Sequence, residues 1–339
     1  MYNKFGQFYN GSWHQSFDKS TYEVVNPCNE EVIGEASNAK PEDVDKALIS
    51  SKEGFNTWKK ISPWERSKII RRAADLIREN KNTIAKWVSL EVGKPLKESL
   101  GEVEGAADIF EWNSEETKRM FGQSIESRFP TTRMNVYYQP IGVVAALVPW
   151  NFPCILASRK ISTALAAGCS VICKPDIITP GSVMSLIDVI NKAGFPDGAI
   201  NLLSGDPAKV SEQLISSNIV KKVSITGSTR VGKIILKQAA DKVQRVTMEL
   251  SGHAPFIVYE DANVEKAVDT AMAAKYRNNG QVCISPSRFF LHEKIKEQFQ
   301  NLFVKKTLKL KLGDAFSNPD LGPITTEKRL NDIEKLTDV

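Results

Sequence analysis

The sequence contains few cysteines and very few histidines, and both shortages limit the chemistry that it can support. Among 339 residues there are five cysteines, an odd and sparse set unlike a disulfide framework. They are Cys28, Cys154, Cys169, Cys173 and Cys283. The three histidines, His14, His253 and His292, are far apart along the chain. We therefore expect no metal site and no Ser-His-Asp triad.

The chain also lacks long apolar runs and tracts of one charge sign. The longest uncharged apolar run, Ile141 to Trp150, is too short to span a bilayer, and the first residues carry no signal-peptide pattern. We therefore expect a cytoplasmic protein with no membrane partner. Forty-five basic and 40 acidic residues give a net charge of +5 that is spread thinly. Nucleic acid is therefore not an expected partner.

From residue 141 onward, short apolar runs alternate regularly with helical patterns. Runs typical of buried strands occur at 141–148, 169–174, 199–203 and 221–225, and a helical layer from residue 41 precedes them. This spacing predicts a parallel sheet of βαβ units, which binds ligands beyond the carboxyl ends of its strands. A second α/β unit begins near Ser251 and has an unfinished pattern at Val339.

One glycine-containing turn is a candidate phosphate site. The segment GSTRVGK, residues 227–233, follows a predicted strand and opens a helix, so its backbone N–H groups would face an anion. A magnesium-binding P-loop needs Ser or Thr after the lysine, and Ile234 stands there instead. The segment therefore favours a dinucleotide pyrophosphate over a triphosphate, with a turn that binds no ligand as the alternative.

Two further strand ends carry polar side chains. In PWNFP, residues 149–153, the prolines restrain the backbone around Asn151, whose amide is a suitable donor to a developing oxyanion. Lys174 ends the run CSVICK and could reach a phosphate or a ribose. The alternatives are a structured turn for Asn151 and a solvent-facing lysine for Lys174.

Glu249 and Cys283 are the candidate catalytic pair. Glu249 ends a short strand-like run. Cys283 follows Gly280 in a turn that precedes a second strand-like run, RFFLH at 288–292. A thiolate nucleophile and a carboxylate base that activates water fit a two-step covalent mechanism without histidine. The alternative for Cys283 is a small core residue.

Five motifs in this order resemble those of the aldehyde dehydrogenase superfamily. They are PWNFP, the Lys174-Pro175 pair, TGSTRVG at 226–232, ELSG at 249–252 and GQVC at 280–283. An N-terminal YNGSW and DANVEKAV at 261–268 extend the resemblance over essentially the whole chain. The sequence departs from the family pattern at Ser251, where glycine is usual, and at Ile177, where an acidic residue is usual.

The resemblance implies an α/β aldehyde dehydrogenase-like fold in two parts. Residues 1–250 would form a Rossmann-type, parallel-sheet NAD(P)-binding domain, and residues 251–339 a truncated α/β catalytic domain. The polar, strand-like stretch at 123–140 would form oligomerisation strands, so a homo-oligomer is expected. We also expect the 339-residue chain on its own to be poorly soluble and weakly active or inactive, because its second sheet would have an open apolar edge.

The resemblance also assigns roles to individual residues. Cys283 would attack the aldehyde, Asn151 would hold the oxyanion, and Glu249 would activate the water that releases the acid. Lys174 would contact the adenosine ribose of NADP or NAD, and Ser228 with Gly227 the pyrophosphate. The remaining residues expected at the cofactor are Pro149, Trp150, Gly232 and Leu250.

The expected substrate is a small aldehyde that carries a second, remote carboxylate. Arg159 and Arg277 match arginines that hold this carboxylate in succinate-semialdehyde dehydrogenases. Ser285 takes the place of a second cysteine that serves some members as a redox switch. Isoleucine at 177 predicts use of both cofactors, with NADP at least competitive. The alternatives are a broad aldehyde dehydrogenase and a protein that keeps the fold without catalysis.

Overall fold

A computed structural model describes residues 2–337 and begins with short strands followed by four helices. A 3-10 turn at Tyr2–Lys4 precedes strands β1 (Gln7–Tyr9), β2 (Ser12–His14), β3 (Thr21–Val25) and β4 (Val32–Ser37). The helices are α1 (Pro41–Trp58), α2 (Pro63–Glu79), α3 (Lys81–Val92) and α4 (Leu96–Glu116), with a 3-10 turn at Thr117–Arg119. The helical layer predicted from residue 41 is confirmed.

A hairpin comes next, formed by β5 (Gln123–Glu126) and β6 (Arg133–Val136). The two strands are antiparallel, and all eight of their residues are exposed. The strand-like alternation of this stretch was therefore a correct guide to its local structure. Its pairing with another chain stays a prediction.

The alternating apolar runs form the predicted parallel sheet. Its elements are β7 (Val143–Leu147), α5 (Pro153–Ala166), β8 (Ser170–Lys174), α6 (Pro180–Ile190) with a 3-10 turn at Asn191–Ala193, β9 (Ile200–Leu202), α7 (Pro207–Ser216), β10 (Val220–Thr226), α8 (Thr229–Ala240) and β11 (Arg245–Glu249). Every residue of β7 and β8 is buried, as expected for parallel strands covered on both faces. Val144 and Ala146 face one core, and Val143, Ala145 and Leu147 the other.

The sheet has seven strands in the order β11-β10-β7-β8-β9-β1-β2. Strands β7 to β11 run parallel to their neighbours, whereas β1 joins β9 in an antiparallel pair. Gln7 in β1 is completely buried, and its side-chain amide donates to Ser37 and to the carbonyl of Ser204. The sequence did not predict these N-terminal strands.

A second, smaller sheet follows β11. Its elements are β12 (Ala254–Val258), α9 (Val264–Tyr276), a 3-10 turn at Arg277–Gly280, β13 (Pro286–Leu291), α10 (Glu293–Thr307) and α11 (Glu327–Thr337). Within residues 2–337, β12 and β13 pair only with each other, in parallel, over a small core that includes Val268 and Phe299. The assignment of 1–250 to cofactor binding and 251–339 to catalysis stays a prediction.

Beside this sheet lies an apolar groove of about 840 Å³, bordered by Ile257, Phe290 and Val304 among others. None of the helices in the described part of the chain combines the length and the apolar character needed to cross a bilayer.

Candidate functional site

The candidate site forms where three neighbouring parallel strands end. Strands β11, β10 and β7 are adjacent, with Thr226 opposite Glu249 and Ile225 opposite Leu147. Because parallel strands end at one edge, the turn at 227–228, Glu249 and the PWNFP segment all emerge there. Motifs that are far apart in the sequence therefore meet at this edge, because the strands that carry them are neighbours in the sheet.

Cys283 reaches this edge on the loop that follows α9. The loop starts with Asn278 and Asn279, both buried and both in the left-handed region with φ of 50° and 58°. Non-glycine residues adopt this conformation rarely, with asparagine among the most tolerant. The turn redirects the chain toward the sheet and leaves the Cys283 side chain exposed.

Two cavities meet at Cys283 and Glu249, which line both. The first cavity, about 320 Å³, reaches the start of α8, and the second, about 310 Å³, lies along α5. Among the expected site residues, those lining the first cavity are Pro149, Trp150, Asn151, Gly227, Ser228 and Leu250. Arg159 and Arg277 line the second.

Two expected cofactor residues lie outside both cavities. Lys174 is buried at the end of β8, where its Nζ donates to the carbonyl of Pro175 at 2.8 Å. Burial lowers the pKa of Lys174 to about 8, against the opposing effect of Asp176 and Asp206. Gly232 is buried in α8, and a Cβ there would lie 2.9 Å from the Leu250 side chain. Gly232 therefore permits close packing of the helix on the first cavity's wall.

In the predicted phosphate turn, part of the backbone already forms hydrogen bonds within the protein. The Gly227 N–H donates to the carbonyl of Glu249 at 3.0 Å, so this group is not available to a phosphate in this structure. Ser228 caps α8 by accepting from the N–H of Val231 at 3.3 Å. Within residues 2–337, the N–H groups of Thr229 and Arg230 have no acceptor. These two groups directly follow Gly227 and Ser228, which line the first cavity, and with the helix dipole they suit an anionic ligand.

Asn151 is held firmly by its neighbours. Its Nδ2 donates to the carbonyl of Gln281 at 3.0 Å, which leaves its second amide hydrogen without an acceptor in the described residues. Its own carbonyl oxygen accepts from Lys94 Nζ and from Asn278 Nδ2, each at 2.9 Å. Asn151, with this free donor, lines the same cavity as Cys283.

The second cavity contains two arginines that have no acidic partner within ion-pair distance in the described residues. Arg159 and Arg277 form no ion pair within residues 2–337, and both are exposed. The guanidinium of Arg277 lies 4.9 Å from the centre of the Phe152 ring. Two unpaired guanidinium groups in one cavity suit a carboxylate ligand.

Lys160 also lines the second cavity, and no sequence motif distinguishes it from Arg159 beside it. Its Nζ lies 3.3 Å from Ser224 Oγ. Burial lowers the pKa of Lys160 to about 8, although Cys173 and Glu249 favour its charged form. Lys160 therefore places a basic group with a lowered pKa in the same cavity as Glu249.

The fold and site together define an α/β protein with a cysteine and a carboxylate between a helix start with free N–H groups and a cavity lined by two arginines. A model of the aldehyde dehydrogenase family matches residues 13–339. The chain belongs to this family, and the predicted fold is confirmed.

Individual relatives match nearly all of this chain but only part of their own length. A mitochondrial succinate-semialdehyde dehydrogenase of Arabidopsis thaliana is 38% identical over 96% of this chain. An NADP(+) succinate-semialdehyde dehydrogenase of Escherichia coli and a glutarate-semialdehyde dehydrogenase of Pseudomonas putida are each 36% identical, over 96% and 97% of it. The matches span 62% of the Arabidopsis relative and 68% of each bacterial one.

A solved structure shows the same likeness in three dimensions. The crystal structure of succinate-semialdehyde dehydrogenase from Burkholderia pseudomallei superposes with a TM-score of 0.95 at 37% identity. The match covers 98% of this chain and 69% of that one.

Proposed function

We propose that this chain carries the machinery for NAD(P)-dependent oxidation of an aldehyde with a remote carboxylate, such as succinate semialdehyde, to the acid. The observation that supports this most directly is the position of Cys283 and Glu249 in both cavities. One cavity offers a helix start for a dinucleotide, and the other offers two arginines for the substrate.

In the proposed reaction, the Cys283 thiolate forms a C–S bond to the aldehyde carbon, and the carbonyl electrons move to oxygen. Asn151 donates its free amide hydrogen to this oxyanion. The C=O bond then re-forms to give a thioester as a hydride leaves this carbon, and a bound nicotinamide dinucleotide would supply the acceptor for that hydride. Glu249 then takes a proton from water, whose oxygen attacks the thioester. The C–S bond breaks, the acid leaves, and the Cys283 thiolate is restored.

The residues present fit such a cofactor. The free N–H groups of Thr229 and Arg230 would face the pyrophosphate, and Pro149, Trp150 and Leu250 would border the rest. We propose NADP or NAD for this position. Lys174 stays a prediction as a ribose contact, because the side chain would have to leave its bond to Pro175.

The two arginines of the second cavity favour a carboxylated substrate over a broad range of aldehydes. A carboxylate would pair with Arg159 and Arg277, whereas an uncharged aldehyde would leave both unpaired. Similarity to succinate- and glutarate-semialdehyde dehydrogenases supports the same class. A homo-oligomer formed through residues 123–140 and a cytoplasmic location are further parts of the proposal.

A single-turnover experiment tests this function even if turnover is slow. Protein in excess over succinate semialdehyde, mixed with NADP or NAD, should yield reduced nicotinamide stoichiometric with the aldehyde. Cys283→Ala should yield none, and Glu249→Gln should form reduced nicotinamide but retain the acyl group on the Cys283 peptide by mass spectrometry. Butanal should react far more slowly. Product formation by Cys283→Ala would exclude the covalent mechanism, and equal rates for butanal would favour the broad enzyme.

A further inference from the structure

A buried ion pair lies directly behind Asn151. Lys94 and Glu102 have side chains that are 0% and 1% exposed, and Lys94 Nζ lies 2.5 Å from Glu102 Oε2. Lys94 precedes α4, and Glu102 is inside that helix. Neither residue lines the first or the second cavity, so neither can touch a ligand there.

Both members of the pair contact the PWNFP segment. Lys94 Nζ donates to the carbonyl of Asn151 at 2.9 Å and lies 4.0 Å from the centre of the Phe152 ring. Glu102 Oε1 accepts from the N–H of Cys154 at 2.9 Å. The pair therefore contacts the segment on both sides of Phe152. Lys94 binds Asn151 just before α5, and Glu102 binds Cys154 in the first turn of that helix.

A second donor connects the same carbonyl to the loop of the nucleophile. Asn278 Nδ2 donates to Asn151 O at 2.9 Å and to Gln281 O at 3.2 Å. The Asn278 N–H in turn donates to Glu98 Oε2 at 2.7 Å. Lys94 thus completes a network that fixes Asn151 relative to the loop carrying Cys283.

Stability alone does not explain a charged pair in this place. Removing two charges from water is costly, and apolar residues of similar volume often replace a buried ion pair without loss of stability. An apolar residue at 94, however, cannot donate to the carbonyl of Asn151. Lys94 therefore fixes the position of the Asn151 carbonyl and, with it, the position of the Asn151 side-chain amide.

We propose that Lys94, neutralised by Glu102, is a positioning residue that sets the Asn151 amide for the oxyanion formed at Cys283. This rests on the proposed function. Removing Lys94 should weaken addition of an aldehyde to Cys283, because the oxyanion loses a well-placed donor. It should not change the intrinsic reactivity of the thiol, which Lys94 does not contact.

Aldehyde addition and thiol reactivity can be measured separately, without any turnover, from the protection of Cys283 against alkylation. Without cofactor, the thiol adds to succinate semialdehyde: a C–S bond forms, the S–H proton passes to the carbonyl oxygen, and nothing is oxidised. The adduct blocks iodoacetamide. The alkylation rate of Cys283, read from its peptide in a Cys28→Ser background, then gives the apparent affinity for the aldehyde.

Three variants make the measurement specific. Lys94→Met leaves Glu102 buried without its partner and is expected to be destabilised. Lys94→Met combined with Glu102→Gln removes both charges, keeps an acceptor for Cys154, and should fold like the parent. Lys97→Met is the control, because Lys97 is an exposed lysine at the start of the same helix, 3.8 Å from Asp320.

The double variant should lose about tenfold or more in apparent aldehyde affinity, with an unchanged alkylation rate in the absence of aldehyde. Lys97→Met should match the parent in both. Unchanged aldehyde affinity in the folded double variant would overturn the role of Lys94 while leaving the proposed function intact. Absence of aldehyde protection in the parent itself would overturn the proposed function.

Discussion

At the scale of single residues, the site contains two charged side chains that have no ion-pair partner in the described part of the chain. Arg159 and Arg277 line the second cavity and have no ion pair in the described part of the chain. Such groups stay available to a ligand carboxylate, unlike Arg78, which is paired with Glu104, Asp108 and Glu111. The unpaired arginines are therefore the part of the site where substrate choice is testable.

We predict that Arg159→Ala and Arg277→Ala each lower kcat/KM for succinate semialdehyde by roughly ten- to a hundredfold. Loss of a hydrogen bond to a charged group costs about 1.5–3 kcal/mol, which corresponds to this range. Steady-state rates with butanal should hardly change, and Arg277→Lys should recover part of the loss. Arg288→Ala, at an exposed arginine outside both cavities, is the control. Equal losses for both aldehydes would assign the arginines to folding.

Ile177 carries the prediction on cofactor choice. It is 37% exposed after β8, where the family usually has an acidic residue that would repel a 2′-phosphate. The kcat/KM for NADP should therefore be at least comparable with that for NAD, and Ile177→Glu should shift the ratio toward NAD. Ile234→Glu, which adds the same charge at an exposed isoleucine on α8 instead of after β8, should leave the ratio unchanged. A strong preference for NAD in the parent would contradict this prediction.

The sequence predicted several of the residues that line the cavities, but not the residues that hydrogen-bond to them from behind. Cys283, Glu249 and Asn151 belong to short motifs at strand ends, where a chemical role follows from residue type. Lys94 and Asn278 act through hydrogen bonds to the carbonyl of Asn151, 57 and 127 residues away, and no local pattern marks such contacts. The hydrogen bond from the Gly227 N–H to the carbonyl of Glu249 likewise depends on the pairing of β10 with β11.

At the scale of elements, helix α6 begins on a buried carboxylate that titrates. Glu91 of α3 accepts from the N–H groups of Gly181 and Ser182, each at 2.7 Å, and from the hydroxyl groups of Ser182 and Tyr2. Burial raises the pKa of Glu91 to about 7 in spite of these donors. The carboxylate therefore fixes the start of α6 and the N-terminal turn at one point.

This arrangement predicts a pH dependence of stability with a definite sign. The folded pKa of Glu91 is above its unfolded value, so the folded state binds the extra proton between about pH 4.5 and 7. The stability from this group is full below that range and is lost as the pH rises to 7, by on the order of 3 kcal/mol at most. Urea unfolding at several pH values should therefore show the largest penalty for Glu91→Gln near pH 5. A penalty that grows toward pH 8 would contradict the assignment.

Strands could be predicted from the sequence where consecutive residues are apolar because all of them are buried. The runs of β7 and β8 are apolar because both faces of a parallel strand are covered, and the sequence shows this directly. Strands β1 and β2 have three residues each, and β1 includes the polar Gln7. Its place in the sheet depends on contacts with Ser37 and Ser204, far along the chain, and so it left no periodic signal.

At the scale of the whole molecule, the two sheets differ in how completely they are covered. The seven-stranded sheet has a core on each face, whereas the two-stranded sheet rests on one small core. On β12 and β13, Ile257 is 58% exposed and Phe290 is 51% exposed beside the apolar groove. Two strands alone are marginally stable in water, and apolar strands with open edges favour self-association.

We therefore predict that the 339-residue chain binds a hydrophobic dye and self-associates as its concentration rises. Ile257→Lys combined with Phe290→Lys should reduce both dye fluorescence and light scattering, because the charges interrupt the apolar face. Ile49→Lys, at a similarly exposed isoleucine on α1 away from the groove, should change neither. Hydrogen exchange should be faster in β12 and β13 than in β7 and β8, because local stability follows burial. A monodisperse chain with one sharp unfolding transition would show that the smaller sheet is stable as it stands, and that the apolar groove does not control the behaviour of the molecule in solution.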